Sequence, residues 1–505
     1  MFCRRIFIAI LVRFTNHMVD SSVDHAEWKL SVISGDLIND SIRAIRSEGW
    51  PNGVRCEVEM DFDQKENRLP LTGTRVVQVG SGLAGPVTAR YLAHFGADVI
   101  RIESRRKPDV LRVSGAEWLS SEVDVEVALD SSILLNFSCA EQRSVALEID
   151  KSDGYDAFCR IVSTADVFVT NLSADVIEQL GLSYEEMKLI NPHLVYLSTT
   201  AFGQHGPYRS YRTWGINLCA LGGIEAMIGW EDREPFGMRT SFPDYPVALA
   251  AASAIVAALQ LRRVTGVGFK LDLPQFNLVL NCIGAVLVDA ALGGSSYERI
   301  GNRSADGALQ GIYPTREAAR WVAFTVEDDA QWKALSAIPQ LFHLSNDPSY
   351  KTKVGRYEHQ VDLDAEISRW TLTRGDWEVA QELQDLGIPA SPVFNAWDIL
   401  ADPHLATRNF YQVGNSARFG ADLMCRPSAV PADMLQDVRN GAPALGEHTR
   451  EVLADVAGAS SAKIDEMIAN GSAYEMVRRD LTLRRPCLPW VSRLLRLRSP
   501  STQKE

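Results

Sequence analysis

The stretch TRVVQVGSGLAGPVTARYLAHFGADVIRIES, residues 74–104, predicts the pattern strand, glycine turn, helix, strand. Residues 75–79 form a short β-branched run, which is typical of a buried strand. Gly80, Gly82 and Gly85 follow with the spacing G-x-G-x-x-G. Glycines at these positions let the backbone turn tightly and approach a ligand closely.

A helix and a second strand follow the glycines. Pro86 suits a first helical position, residues 87–94 carry an apolar helical face, and residues 97–102 form a strand that ends at Glu103. In dinucleotide-binding proteins the helix N-terminus faces a pyrophosphate, and an acid about twenty residues further on binds the ribose. Glu103 occupies that place. The pattern indicates a βαβ unit and leaves NAD, FAD, another adenine-containing ligand or a packing role of the turn open.

Length and composition describe a globular chain of several domains. The 505 residues are 46% hydrophobic and 23% charged, with a net charge of −13. An acidic chain lacks the basic face of a general nucleic-acid binder, although local basic residues could hold a small anion. Arg101 and residues 105–107 form such a cluster, and we expect Arg106 and Lys107 to be solvated.

The cysteines and the N-terminal residues indicate the cellular compartment of the protein. The eight cysteines form no C-x-x-C pair, so we expect thiols in a reducing compartment rather than a disulfide framework or a zinc site. The first 14 residues have an apolar run too short for a membrane span and no small-residue cleavage site. We therefore predict a cytoplasmic protein without membrane association. Organelle targeting by the N-terminal extension is the alternative.

Strands and helices alternate after the first unit, which predicts an α/β fold with a parallel sheet. We expect residues 105–140 to form surface loops, and a strongly apolar helix from Pro246 to Arg263 to lie in the core. The other predicted strands lie at 143–148, 166–170, 194–199 and 269–273, and the helices between them at 150–164, 174–180 and 184–190.

The texture of the chain changes beyond residue 280 and predicts a second, smaller α+β domain. Its strands are expected at 312–314 and 321–326, and its helices at 331–335, 362–373 and 376–386. The predicted organisation is an N-terminal extension (1–70), a large Rossmann-like domain (71–280), the small domain with its linkers (281–395), a return to the large domain (396–480) and a basic tail (481–505).

Asp244 is the carboxylate most suited to chemistry. It lies between Pro243 and Pro246, where the backbone is stiff, and it precedes a helix whose N-terminus stabilises a negative charge. It could be the N-cap of that helix or a nucleophile that forms a covalent acyl intermediate. His205, within the run Gly-Gln-His-Gly, is interpreted as a turn residue.

The chain resembles the class III CoA-transferases of the CaiB/BaiF type from about residue 70 to about residue 475. The resemblance rests on several blocks in order: PLTGTRVVQVGSGLAGPVTARYLAHFGADVIRIE, RSVALEI, ADVFVTNLSADVIEQLGLSYEEMKLINPHLVYLSTTAFGQHGPY, FPDYPVALAAASAIVAALQLRRVTGVGFKLDL, ERIGNR, GIYPT, RWVAF, LGIPASPVFNAWDILADPHL and LGEHTREVL. It covers about four-fifths of the chain and leaves the first 70 residues and the tail unexplained.

The resemblance implies transfer of coenzyme A from an acyl-CoA to a free carboxylic acid, without a permanently bound cofactor. The family's nucleophilic aspartate falls at Asp244. Its CoA-binding positions fall at Ser81, Gly82, Leu83, Ala84, Arg105, Leu147, Asn171, Leu172, Arg212 and Trp214. Arg105 stands next to the family's basic position, and Leu172 replaces the family's Phe. The phosphate-binding arginine of many members is Gln179 here, and the flap corresponding to 301–311 lacks a continuous glycine run.

The resemblance also implies a large domain built from both chain ends and two chains interlocked as a homodimer. One branch of the fold comprises 2-methylacyl-CoA racemases, whose acid/base histidine would fall at Trp214. Tryptophan does not transfer protons, so racemisation is disfavoured. An NAD- or FAD-dependent oxidoreductase and a non-catalytic CoA-binding protein also stay open as functions.

Overall fold

A parallel sheet of six strands, extended by one antiparallel strand, forms the centre of the computed structural model. The model describes residues 69–116, 129–130, 132–238, 240–294, 299–304, 306–307, 309–416, 420–426 and 440–476. The sheet order is β12-β3-β2-β1-β4-β5-β6, and only β12 runs antiparallel to its neighbour. The strands are β1 (Arg75–Val79), β2 (Asp98–Glu103), β3 (Arg143–Leu147), β4 (Val167–Thr170), β5 (Val195–Ser198), β6 (Phe269–Asp272) and β12 (Ala473–Tyr474).

The strand order reverses at β1. The chain builds β2 and β3 on one side of β1, and β4, β5 and β6 on the other. In such open sheets, ligands bind in the crevice at the carboxyl ends of the strands where the order reverses. This topology places the glycine turn after β1 beside the loop after β4. The predicted parallel α/β architecture and the six predicted strands of this part are confirmed.

Helices cover both faces of the sheet. Their apolar faces pack into two clusters of buried side chains, one on each face. The helices between β1 and β6 are α1 (Ala84–His94), α2 (Val110–Ala116), α3 (Ile133–Ser138), α4 (Ser152–Ser163), α5 (Ala174–Gln179), α6 (Tyr184–Ile190), α7 (Gly215–Leu221), α8 (Ile224–Met227) and α9 (Asp244–Thr265).

Two predictions for this part were wrong. Helix α1 begins at Ala84, two residues before Pro86. The proline is tolerated in the first turn because the N–H groups of a first turn have no partner within the helix. The segment 105–140 is not only surface loop: it contains α2 and α3, and Leu111 and Leu135 are buried beside α1.

A buried ionic network explains why that segment looked exposed. Arg101 and Arg112 are fully buried and pair with Glu103 between them. Arg101 also pairs with Asp109, and Arg112 with Asp130. Burial opposes the ionisation of Glu103, but the two arginines outweigh it and hold its pKa well below the usual range. Glu103 is therefore a structural residue at the end of β2 and not the ribose-binding acid whose place in the pattern it occupies.

The region beyond residue 300 contains a three-stranded antiparallel sheet with its own buried cluster. Its strands are β7 (Leu309–Pro314), β8 (Trp321–Val326) and β9 (Ala390–Pro392). Two 3-10 segments, Pro339–Asn346 and Pro348–Tyr350, accompany the helices α12 (Asp329–Ser336), α13 (Lys353–Glu358), α14 (Gln360–Thr371) and α15 (Asp376–Asp385), while α10 (Gln275–Cys282) and α11 (Gly284–Ala291) precede this sheet. This region therefore contains both strands and helices, as its predicted α+β class requires.

The last described segment returns to the large sheet, where β12 pairs with β3. It carries α16 (Ala396–Ala401), α17 (Pro403–Thr407), the hairpin β10 (Tyr411–Ser416) and β11 (Gly420–Cys425), α18 (Thr449–Asp455) and α19 (Ser461–Ala469). The predicted domain boundaries stay predictions. The predicted extension up to residue 68 and the predicted tail lie outside the described residues.

Helix α9 is buried on one side only. Its inner face packs on α1 and the sheet through residues that include Ala251, Ile255 and Leu259. Leu249 and Leu261 on its outer face are exposed. The expectation of a helix enclosed in the core was therefore wrong for half of its surface. Among the described residues, α9 is the one helix with the length and apolar composition of a membrane span.

Of the eight cysteines, five are described and all five are free thiols. Cys139 and Cys219 are buried, whereas Cys282 is exposed. Burial raises the pKa of the Cys139 thiol to about 11. Cys3, Cys56 and Cys487 lie outside the described residues.

Candidate active site

The buried carboxylate of Asp109 holds the glycine turn after β1 through hydrogen bonds. Gly82 has φ of +84°, a conformation that glycine adopts without strain. Its N–H donates to Asp109 Oδ1 at 3.0 Å, and the Ser81 hydroxyl donates to the same oxygen at 3.0 Å. The Gly82 N–H and the Ser81 hydroxyl are therefore bonded within the protein and do not face a ligand phosphate, as they would in a dinucleotide site.

Asn171, directly after β4, holds the turn from the other side. Its Nδ2 donates to the Ser81 carbonyl at 2.6 Å. A Cβ at Gly80 would lie 1.9 Å from Asn171 Oδ1, and one at Gly85 would lie 2.7 Å from it. These two glycines therefore leave room for a neighbouring amide, so packing explains two of the three glycines of the motif.

Asp244 is the first residue of α9 and faces this turn. The N-cap of α9 is Pro243, and no side chain caps the helix, so the N-cap interpretation of Asp244 was wrong. Burial raises the pKa of the Asp244 carboxyl to about 6, against hydrogen bonds from the N–H groups of Ala84 and of Asp244 itself. A Cβ at Gly215 would lie 3.1 Å from Asp244 Oδ2, so that glycine permits a close approach.

A cavity of about 500 Å³ opens between the turn and the start of α9. Asp244 is the one carboxylate among the described residues that line it. The cavity brings together seven residues that the sequence singled out: Ser81, Gly82, Leu83, Asn171, Arg212, Trp214 and Asp244. A larger cavity of about 710 Å³ beside β7 contains none of these residues.

Four predicted contacts do not line this cavity. Ala84 is absent from the lining, but its N–H donates to Asp244, which belongs to the lining. Leu147 is a core side chain, and Leu172 packs against the same cluster. Arg105 is exposed, and its guanidinium lies 4.2 Å from the centre of the Tyr474 ring. A role for these four in CoA binding stays a prediction. His205 is exposed in a bend outside the cavity, as expected.

Six lining residues that the sequence did not single out come from the loop after β5. Phe202, Tyr208 and Tyr211 contact one another with ring centroids 4.8–6.0 Å apart, and Phe202 and Tyr211 line the cavity. The glycine- and aromatic-rich composition of this loop was the available signal. Other segments add polar residues to the lining: Ser114, Ser173, Ser241 and Gln275.

The arginines of the cavity differ in their partners. Arg209 forms an ion pair with Glu178 at 3.5 Å. Arg212 has no carboxylate partner among the described residues within ion-pair distance. Arg212 is exposed and lines the same cavity as Asp244, so it can meet an anionic group of a ligand there.

Comparisons with known proteins agree on one family. The model of CoA-transferase family III matches residues 71–449. Succinyl-CoA–D-citramalate CoA-transferase of Chloroflexus aurantiacus is 30% identical, covering 77% of this chain and 94% of that protein. Succinate–glutarate CoA-transferase of Agrobacterium fabrum is 26% identical over 78% of this chain and 97% of its own. The crystal structure of a CaiB/BaiF family protein from Brucella suis has a TM-score of 0.70 and 27% identity, covering 77% of this chain and 100% of that one.

Proposed function

From the membership of this chain in CoA-transferase family III, we propose that it moves CoA from an acyl-CoA to a free carboxylic acid by way of Asp244. The observation that carries the proposal is the place of Asp244, which is the one carboxylate among the described cavity residues and half-buried beside the glycine turn. A carboxylate with a raised pKa is a stronger nucleophile than an ordinary one and is still ionised at neutral pH.

The proposed reaction proceeds in two matched halves. The Asp244 carboxylate attacks the thioester carbonyl, the C–S bond breaks, and an acyl–aspartyl anhydride and CoA thiolate form. The thiolate then attacks the Asp244 carbonyl, which releases the donor acid and leaves a CoA thioester on Asp244. The acceptor carboxylate reverses both steps. One thioester replaces another, so the exchange needs no further energy source, but the anhydride must be kept from water.

Purified protein with Asp244→Ala tests the proposal. The names of the relatives suggest succinyl-CoA as the first donor, with D-citramalate and glutarate as acceptors. We expect exchange to fall by about 10⁴-fold, as when other enzymes lose a nucleophile. Asp175→Ala is the matched control, because Asp175 also lies in the first turn of a helix but is exposed outside the cavity. Equal activity of the Asp244 variant and wild type would contradict the proposal.

Racemisation, oxidoreduction and CoA binding without catalysis have less support. The position of the racemase histidine is Trp214, and no histidine is among the described residues that line the cavity. Deuterium incorporation at the α-carbon without an acceptor acid would favour racemisation. An oxidoreductase would bind its pyrophosphate at the turn, where the Gly82 N–H already donates to Asp109. Tight CoA binding without turnover across many acids would favour a non-catalytic protein.

We also propose that the enzyme is a homodimer. Large apolar side chains on the outer face of α9 are exposed, and no residue of α11 is buried. A second copy of the chain could cover this surface, since exposed apolar patches commonly mark interfaces. Light scattering should give twice the mass of the chain, whereas the mass of one chain would contradict the proposal.

A further inference from the structure

Asp109 connects three segments around the glycine turn. Its carboxylate is buried, with 5% of the residue exposed. Besides the Gly82 and Ser81 donors, its Oδ1 accepts the N–H of Leu111 at 2.8 Å, in the first turn of α2. The N–H of Val110 donates to Ser81 Oγ at 3.2 Å. One carboxylate oxygen therefore fixes the turn to the start of α2.

The other oxygen of Asp109 anchors this arrangement to the sheet. Oδ2 forms an ion pair with Arg101, whose guanidinium is fully buried on β2. Arg101 also donates to Gln78 Oε1 on β1 at 3.2 Å and lies 3.2 Å from Glu103. Side chains on β1 and β2 thus fix the position of Asp109. Asp109 then fixes the backbone of the glycine turn.

We infer that Asp109 is a positioning residue for Asp244. It is absent from the cavity lining and acts through the turn, which continues into Ala84 at the start of α1. The start of α1 packs against the first turns of α9, where Leu83 and Ala248 share one buried cluster, and the Ala84 N–H donates to the Asp244 carboxylate. The inference rests on the proposed role of Asp244 as nucleophile. It assigns to Asp109 the task of keeping that N–H in place.

The surroundings of Asp244 make this one donor important. Burial raises the pKa values of its titratable neighbours, Tyr245 and Cys219, so both are neutral near pH 7. Arg209 and Arg212 line the same cavity, but Asp244 forms no ion pair with any described residue within 4.0 Å. The ionised carboxylate therefore depends on backbone N–H groups. A displaced turn should raise the pKa of Asp244 further above about 6.

The test compares Asp109→Asn with Asp130→Asn in the full-length protein. Both changes remove one charge from a buried carboxylate paired with a buried arginine, but Asp130 contacts Arg112 and the Leu445 N–H instead of the turn. The readout is the pH dependence of carbodiimide labelling at Asp244, measured by peptide mass spectrometry. Carbodiimides react with the protonated carboxyl, so the labelling midpoint reports its pKa without any substrate.

We expect Asp109→Asn to raise the labelling midpoint by roughly half to one pH unit, since a hydrogen bond to a charged group stabilises the charged form. Asp130→Asn should keep the wild-type midpoint at a similar loss of thermal stability. Ser81→Ala, which removes one donor to Asp109 at an exposed residue, should give a smaller shift of the same sign and serves if Asp109→Asn does not fold.

Equal midpoints in wild type, Asp109→Asn and Ser81→Ala would overturn the inference, as would an equal shift in Asp130→Asn. The outcome is independent of the proposed reaction, because labelling needs no turnover. Wild-type protein that exchanges no CoA would defeat the proposed function while the labelling experiment could still place Asp109. In an active enzyme, the acidic limb of the kcat/KM profile should move with the labelling midpoint.

Discussion

The turn at 81–84 and the aromatic loop at 201–214 face the same cavity, but they are held in different ways. The turn is fixed by Asp109 below and Asn171 beside it, through hydrogen bonds of 2.6–3.0 Å. The loop presents exposed rings: Tyr211, which contacts Tyr208, is 59% exposed, and Trp214 is 65% exposed. We call the turn the first wall of the cavity and the loop its second wall. Hydrogen-bonded side chains hold the first wall, whereas the second wall presents exposed aromatic rings.

The difference separates two tasks of a group-transfer site. The first wall places the Ala84 N–H beside Asp244, and preorganised catalysis requires such a fixed donor. A large substrate bound against the second wall would exclude water from the cavity. Changes in the first wall should therefore alter stability and the chemistry of Asp244, while changes to the exposed rings of the second should mainly alter substrate binding.

The largest effect on stability is expected at Asp244 itself. The folded state raises its pKa from 3.8 to about 6, so folded protein binds the proton more tightly than unfolded protein does. Its stabilising contribution is present below pH 3.8 and is lost as the pH rises through 6, at a cost of up to about 3 kcal/mol. Asp244→Asn should therefore raise the unfolding temperature at pH 8 but not at pH 4. An equal change at both pH values would contradict the burial of the charge.

A smaller effect on stability distinguishes Gly80, which directly precedes the turn, from Gly206 in the loop. Gly80→Ala places a Cβ 1.9 Å from Asn171 Oδ1 and should destabilise the fold by about 2 kcal/mol through overpacking. Gly206→Ala in the loop meets no atom within 4 Å and should cost only the strain of φ +93°, about 1 kcal/mol. Denaturant midpoints measure both. Adding Asn171→Ala should relieve the first change but leave the second as it was.

The smallest effect on stability is expected at Trp214. Its side chain is exposed, so Trp214→Ala should change the unfolding free energy by no more than about 0.5 kcal/mol. Loss of an aromatic surface from the wall should raise the KM for acyl-CoA roughly three- to tenfold, with kcat nearly unchanged. Steady-state kinetics and thermal melts on one preparation measure both quantities. A large fall in kcat at constant KM would contradict the division of tasks.

Local sequence patterns were sufficient to predict the strands of the central sheet and the glycine turn. The β-branched runs at 75–79 and 167–170 are buried in parallel strands, and the glycine spacing marked the turn between β1 and α1. Asp244 was recognised from its prolines and from family resemblance. The sequence could not show that its helix lacks a side-chain cap, because capping depends on where the carboxylate points.

The buried charged residues could not be predicted from the sequence, because their burial depends on ion pairs formed in the folded protein. Arg101, Asp109 and Arg112 resemble a solvated charged segment, yet all three are buried, and they pair with one another or with Glu103 at the end of β2. No periodicity predicts a buried ion network, because the same residue types usually lie at the surface. The role of Asp109 follows only once β1, β2 and α2 are brought together.

The oxygen atoms of the acceptor acid test the central claim most directly. An acceptor with both carboxyl oxygens replaced by ¹⁸O should transfer one of them to Asp244 when its anhydride is cleaved by CoA thiolate. After a turnover with succinyl-CoA, the peptide that contains Asp244 should gain about 2 Da, as one oxygen isotope replaces another. Demonstrated CoA exchange with no ¹⁸O in that peptide would contradict an aspartyl intermediate at Asp244.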